Sequence, residues 1–454
     1  MARALDHNVS GLRARLALAA ISAFSINAAG VGLAFLAQLL AARLLGAENY
    51  GIYAYVIAWI TVLGLLATLG FEPAILRFAA VYQSSGDLGR LQGAVRYAES
   101  RVLATGVAIA FAGILVAVLL SFRGSQDPAL LHSFMIGAAA VPCLALLRVR
   151  SSVLRAFGRI AFSLLPDKAA REGTIIVVLG LLGVAFSAPL SAPSATTAFL
   201  IGALVGLGLA ARWIRQTRPE GLDAVAAQTD ERSLWLRTAL PLLLVIGSQF
   251  VMTRVDVLLL GWLVDTTSAG IFNVASLLAQ LVVFPLMAIH ALFHPTIATL
   301  HHQKEHDRLQ ELTTTTALWS LLAGFALCVP LFVLGGQILA LFGPEFAMGT
   351  PVLRILLTAH VAASAAGSIV ALITMTGNER LASVMMTVVL AIKIVAGLVF
   401  IPRFGLLGAA IVDAASIVAW NLAFGYAAWS RLRLIPSILG VFLGKAKLPR
   451  ASMD

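Results

Sequence analysis

A chain of 454 residues with 60% hydrophobic and only 12% charged residues is not a string of ordinary soluble domains, in which about 25% of residues are charged. Its net charge of +11 comes from Lys and Arg at the ends of apolar runs, not from a basic domain, which argues against nucleic-acid binding and for repeated crossing of a bilayer. Cys143 and Cys328 both sit inside apolar runs and read as packing residues rather than a disulfide.

Arg3, Arg13 and Arg15 precede the first apolar run, which reaches Ala42. That run is too long for a signal-peptide core, so the chain is expected to open with an uncleaved membrane helix. Further apolar stretches recur to the end of the chain, each of about 20 residues and so able to cross roughly 30 Å of hydrocarbon. They are rich in Leu, Ala, Val and Gly without strict alternation, which predicts helices and not barrel strands. The predicted class is an all-α polytopic membrane protein of about twelve helices, in two six-helix bundles around a central cavity. The expected cores are 16–42, 51–72, 98–121, 130–149, 172–190, 194–212, 239–263, 269–291, 313–335, 351–374, 381–401 and 406–428.

Charge supports this layout. With the N-terminus in the cytoplasm, most of the 32 Lys and Arg residues fall in alternate gaps. Lys168 and Arg171 are placed in one such gap, before the fifth helix. The outer gaps hold Arg43, Arg123, Arg354 and Arg403, and Arg254 and Lys393 fall inside helices. An even number of helices with both termini cytoplasmic follows. The expected organisation is a bundle over 1–213, a polar cytoplasmic linker over 214–236, a bundle over 237–430 and a basic cytoplasmic tail over 431–454. A faint echo links Ala47-Glu48-Asn49-Tyr50-Gly51-Ile52-Tyr53 with Thr266-Thr267-Ser268-Ala269-Gly270-Ile271-Phe272. Six helices per half predicts parallel repeats about an axis along the membrane normal, with a substrate path between them.

Several segments in order resemble the bacterial polysaccharide-export flippases, within the multidrug/oligosaccharidyl-lipid/polysaccharide exporter superfamily. They are Arg43-Leu44-Leu45-Gly46 with Tyr50-Gly51-Ile52-Tyr53, then Gly70 with Arg77-Phe78, then Arg254-Val255-Asp256 with Leu260-Gly261. Leu341-Phe342-Gly343-Pro344-Glu345-Phe346, Thr376-Gly377-Asn378 and Pro402-Arg403-Phe404-Gly405-Leu406-Leu407-Gly408-Ala409 continue the series. The resemblance implies movement of an undecaprenyl-linked oligosaccharide from the inner to the outer leaflet of a bacterial inner membrane. Polymerases or glycosyltransferases would be its partners. An ion-coupled multidrug exporter of the same superfamily stands as the alternative, using H+ or Na+, and a membrane enzyme acting on lipid-linked sugars as a more distant one. No GxxxxGK[ST], GxSxG or HExxH occurs, and nothing pairs a nucleophile with a base, so no catalytic residue and no cofactor is expected.

A charge at mid-bilayer costs about 2.5–3.5 kcal/mol on insertion scales, so each one calls for a reason. Arg254 and Lys393 either meet an anionic substrate group or pair with a carboxylate, Asp413 being the partner in reach of Lys393. On an unbroken helix Asp256 shares a stripe with Gln249 and Thr253 and not with Arg254. That stripe either holds sugar hydroxyls or a cation, or bonds to a neighbouring helix. Asn27 and Gln38 share a face of the first helix, which either lines the substrate cavity or packs against a neighbouring helix. Glu72 and Arg77, at the inner end of the second, form either a gate or a solvated end. His360 either relays protons or is satisfied by a neighbour. His301, His302 and His306 have metal-ligand spacing but read as a solvated loop. Gly202 and Gly206 form a GxxxG, which predicts close helix packing.

Overall fold

The computed structural model describes the backbone of residues 2–122, 127–185, 190–219, 221–222, 225–284, 296–297, 299–300, 302–303, 305–367, 369–435 and 437, and the side chains of all of these but 2–24, 120, 371 and 379. Among the described residues the chain is helical throughout and holds no strand. It forms two compact units, Met1–Phe250 and Val251–Asp454.

The first unit begins with α1 (Ala2–Ala67), α2 (Phe71–Ser85), α3 (Leu88–Phe122) and α4 (Pro128–Ala156). It continues with α5 (Ile160–Leu165), a π-helical turn over Pro166–Ala170, α6 (Arg171–Ala185), α7 (Ala192–Thr217) and nearly all of α8 (Arg232–Met252). α1 carries two expected spans. They join at Gly46, whose φ of 70° and ψ of 171° belong to a region that only glycine occupies readily. The second span breaks again at Leu69 and Gly70, both at positive φ. The reason is packing: a Cβ on Gly70 would lie 2.0 Å from the Ala239 carbonyl oxygen of α8. The two backbones touch there, and only glycine leaves room.

The fifth span differs from expectation. It was expected over 172–190. Helix begins earlier, at Ile160, and runs to Ala185 as α5, the π turn and α6 in continuous succession; residues 186–189 lie outside the described residues. Pro166 explains the irregular turn. It has no N–H for the carbonyl four residues back, and its ring crowds that carbonyl. The helix widens by one residue, so that the Arg171 N–H donates to the Pro166 carbonyl oxygen, the five-residue step of a π-bulge. α7 closes over this bulge through its GxxxG. A Cβ on Gly202 would lie 2.8 Å from the Arg171 carbonyl oxygen, and one on Gly206 2.7 Å from that of Pro166. At 1.5 Å per residue α7 is about 39 Å long, with its two glycines about 15 and 21 Å from its start. The bulge therefore packs against the middle of α7. Lys168 and Arg171 are helical, at the widened turn where α5 meets α6.

The units divide between Phe250 and Val251, later than the linker expected over 214–236. The residues on the C-terminal side of that linker explain why they belong to the first unit. Arg90 on α3 bonds Asp230 at 3.0 Å. The Gln228 N–H donates to the Gly89 carbonyl oxygen at 3.0 Å. The Tyr82 hydroxyl donates to Glu231 at 2.5 Å and accepts from the indole N–H of Trp235 at 2.8 Å. The linker is a strap laid along α2 and α3.

The second unit holds α9 (Val255–Leu263), α10 (Thr266–Gln280), α11 (His306–Ala340), α12 (Thr350–Ala366), α13 (Ile369–Met375) and α14 (Glu379–Leu432). α14 carries the last two expected spans, kinked at Gly405 with φ 54°. Its end is fastened by Gln310 of α11, whose side chain donates to the Ile435 carbonyl oxygen and accepts from the Ile435 N–H, both at 2.8 Å. Apolar side chains face outward along most helices, among them Phe111, Val184, Leu244, Val333 and Leu422, as lipid contact requires. Nine helical stretches among the described residues are long and apolar enough to span a membrane, the first and last as double-length pieces.

Several expectations lie outside the described residues: those on Arg123, Asp223, His301, Lys304, Lys445, Lys447 and Arg450, the end of the eighth span beyond Phe284, and nearly all of the basic tail. The side chains of Arg3, Arg13 and Arg15 lie outside them as well.

Candidate functional site

The seventh expected span is not one helix. It breaks at Thr253 and Arg254 between α8 and α9. The break leaves the last carbonyls of α8 without their helical donors. Lys393 of α14 supplies one, donating to the Met252 carbonyl oxygen at 2.8 Å. The same ammonium reaches Asp256, in the first turn of α9, at 2.6 Å and Asp413 at 2.6 Å. The side chains of Lys393, Asp256 and Asp413 are 1%, 4% and 15% exposed. Three helical pieces thus deliver one cation and two carboxylates to a nearly dry point.

Of the two roles open to Lys393, the geometry fills the pairing one, with two carboxylates instead of one. The ammonium has spent its three donors on Asp256, Asp413 and Met252. The second Asp256 oxygen, Oδ1, is buried with no hydrogen-bond partner among the described residues. If every member is ionised, the cluster holds two negative charges against one positive charge. His360 on α12 lies within electrostatic range of Asp413 and Lys393, and its backbone carbonyl accepts the Ser364 hydroxyl at 2.9 Å.

The expected stripe does not form. Its geometry assumed an unbroken helix, and the break resets the angle between residues on either side. Gln249 and Thr253 are exposed, whereas Asp256 is buried. Arg254 is half-buried at the break itself, its carbonyl accepting the Leu258 N–H at 3.1 Å.

In the first unit Glu72 opens α2 and faces two arginines of α4, Arg148 at 3.5 Å and Arg155 at 3.4 Å. Glu72 is therefore held within its own unit. Arg77 is exposed and lines a surface cavity of about 420 Å³ with Tyr82, Asp87, Arg90 and Glu231. Asn27 is half-buried on α1, and Gln38 accepts the Tyr50 hydroxyl at 2.7 Å.

A second charged cluster, which the sequence reading did not single out, lies at the π-bulge. There Arg171 pairs with Asp167 at 2.8 Å and with Glu172 at 2.6 Å, and its guanidinium lies over the Phe199 ring, 5.5 Å from the centroid. Arg171 thereby joins two carboxylates, one more than its own charge balances. The signal was present: Ile160–Leu165 is apolar between Arg159 and Asp167, enough to begin a span that then tolerates charge.

Comparison with known proteins places this geometry. The sequence profile of a family described as polysaccharide biosynthesis protein matches residues 19–301. No curated protein matches by sequence. An inward-facing multidrug resistance MATE family transporter of the MOP superfamily superposes with a TM-score of 0.74 at 16% identity, covering 91% of this chain and 98% of the other. The lipid II flippase MurJ, in an inward closed conformation, superposes with a TM-score of 0.70 at 17% identity, over 94% of this chain and 90% of the other. A MOP superfamily transporter from Pyrococcus furiosus gives 0.65 at 14% identity, over 93% and 96%. At such identities the likeness shows the fold, that of a MOP-superfamily transporter.

Proposed function

Because this chain belongs to the polysaccharide biosynthesis protein family, we propose that it flips an undecaprenyl-type lipid-linked oligosaccharide across a bacterial inner membrane, by alternating access. The observation that carries this reading is the family match together with charge kept inside the spans. A lipid-linked glycan presents a hydroxyl-rich head and an anionic phosphate linkage, and Arg254, half-buried at a helix break, offers a planar fork suited to such oxygens. Lys393 plays a different part. It is fully committed to Asp256, Asp413 and the α8 end, so it does not serve as the substrate's cation.

The same cluster supports coupling to a proton. One ammonium cannot neutralise two carboxylates, and a residual charge in the bilayer is costly. A proton shared between Asp256 and Asp413 removes the excess, and its exchange with water gives the cycle a driving ion. The Lys and Arg bias of the gaps supports a cytoplasmic position for both termini. Glycosyltransferases and a polymerase that build and extend the glycan are the corresponding partners.

Replacing Arg254 with Ala tests the reading. Polysaccharide export should be lost in cells that retain normal levels of the protein in the membrane. Normal export would remove Arg254 from the substrate path. One observation favours a second reading, an ion-coupled multidrug exporter: the superposition on a MATE transporter combined with the excess of acid at Asp256 and Asp413. Efflux of cationic dyes, unaffected by Arg254→Ala and abolished by Asp256→Asn, would decide for it.

A further inference from the structure

The cavity beside the strap has a marked order of charge. It holds about 420 Å³, and α2, the start of α3, the strap and α8 all line it. Arg77 is exposed in its wall and enters no hydrogen bond or ion pair among the described residues. The acids lie at the other end, beside the turn that closes α2. That helix ends at Ser85, about 12 Å beyond Arg77, and Asp87 follows. Arg90 faces Asp87, Asp230 and Glu231, so carboxylates outnumber it by two. Each lining acid spends one oxygen inside the protein: Asp87 Oδ1 accepts the Arg90 N–H, and Glu231 Oε2 the Tyr82 hydroxyl. The other oxygens are poorly served. Asp87 Oδ2 lies 3.4 Å from Arg90 Nη1, and Glu231 Oε1 lies 3.6 Å from its Nε, longer than a good hydrogen bond. Val81 and Leu234 also line the cavity, at 54% and 50% exposure. The surface changes character here. Ser84, Ser85, Asp230 and Arg232 form an exposed polar rim, whereas Leu76 and Val81 on α2 and Leu240 and Leu244 on α8 expose aliphatic side chains below it. Such a change marks a membrane–water boundary, and Arg77 lies on its aliphatic side, where a long stem lets the charge reach upward.

From this order of charge we propose that the cavity holds the headgroup of an amine-bearing phospholipid of the phosphatidylethanolamine class. In such a lipid the phosphate adjoins the glycerol and the ammonium lies beyond it, toward water. The cavity repeats that sequence: a cation on the aliphatic side, then two carboxylates at the polar rim. Arg77 takes the phosphate, and Asp87 Oδ2 and Glu231 Oε1 accept two of the three ammonium donors. The acyl chains leave along Val81 and Leu234. A phosphoglycerol headgroup would set uncharged hydroxyls against two acids, and a phosphocholine would bring no donor at all. Because Glu231 belongs to the strap, the lipid ties the strap to α2. The site rests on the chain being a membrane protein, whatever it transports.

Lipid titration of the delipidated full chain in detergent, read by native mass spectrometry, tests this. The probes are phosphatidylethanolamine, phosphatidylglycerol and phosphatidylcholine with the same acyl chains, and soluble glycerophosphoethanolamine as a competitor. Wild-type protein should bind phosphatidylethanolamine at least about tenfold more tightly than either other lipid, the scale of a charge-assisted hydrogen bond. Arg77→Gln should weaken that lipid by a similar factor, and Arg77→Lys should retain most of the affinity. Asp87→Asn should narrow the preference for phosphatidylethanolamine over phosphatidylglycerol. Equal binding of the three lipids, or a preference for phosphatidylglycerol, overturns the proposal in the wild-type protein alone, without recourse to a variant. Wild-type affinity for phosphatidylethanolamine in Arg77→Gln overturns it as well. Glycerophosphoethanolamine that competes as effectively as the lipid makes the occupant a soluble headgroup and overturns the lipid assignment.

Discussion

Asp256 and Lys393 meet at 2.6 Å across α9 and α14, and Asp413 meets the same ammonium at the same distance. One cation therefore holds two carboxylates and a helix end together. Lys393→Met should destabilise the protein by about 3–5 kcal/mol, the cost of leaving buried charge uncompensated. Asp256→Asn should cost less, because Lys393 keeps Asp413 and the Met252 carbonyl. The double variant Asp256→Asn/Lys393→Met should recover part of the loss. Denaturation of the purified protein in mixed micelles measures all three; equal losses in the two single variants would remove the charge argument.

The π-bulge triad makes a parallel case in the first unit. Arg171→Met leaves Asp167 and Glu172 without their shared cation and should cost about 3–5 kcal/mol. Asp167→Asn leaves the stronger Arg171–Glu172 contact in place, so its effect on the melting temperature should be small by comparison.

Glycines divide into two groups by what surrounds them. Gly206→Val forces a side chain against the Pro166 carbonyl and should cost about 1–3 kcal/mol, the usual range for overpacking. Gly70→Ala meets the Ala239 carbonyl and also strains a φ of 80°, and it should abolish accumulation in the membrane. Gly46→Ala meets nothing within 4 Å and pays only for its backbone angle, about 1–3 kcal/mol. Expression and melting of the three variants should follow the order Gly46→Ala, Gly206→Val, Gly70→Ala.

The strap responds to acid. A hydrogen bond from Arg90 holds the Asp230 carboxyl below its ordinary value. A carboxyl lowered by folding stabilises the folded state above its unfolded pKa, about 3.9, and that contribution is lost as pH falls through the folded value. The strap should stay docked at neutral pH and loosen only in strong acid. Hydrogen exchange at Gln228, whose N–H is bound to Gly89, should show no change in protection between pH 7 and pH 5. Loss of protection in that window would mean that another group controls the strap.

The membrane-spanning helical class was legible because hydropathy is a bulk property, and no detail of packing can reverse it. The pairing of Lys393 with Asp413 was legible too, since a buried cation needs an acid. What sequence concealed was each place where a helix departs from 3.6 residues per turn. Thr253 and Arg254 look like helix interior, so the stripe of Gln249, Thr253 and Asp256 was drawn on a cylinder that is broken there. Pro166 hid the fifth span in the opposite way: a proline among four charged residues reads as a loop, and only the apolar Ile160–Leu165 before it says otherwise. The strap was hidden because Tyr82, Glu231 and Trp235 meet through tertiary contacts that no local pattern encodes.

The widened turn at Pro166–Ala170 also acts as a rotational setting. One residue added to a helix swings everything before it by about 100° relative to everything after it. Removing a single residue from this turn would restore a regular helix, yet it would aim α5 and α6 at different neighbours from those they now face. A one-residue deletion here is thus a change of azimuth, and a lysine that now rests on Gly30 would lose its seat without any change in composition around it.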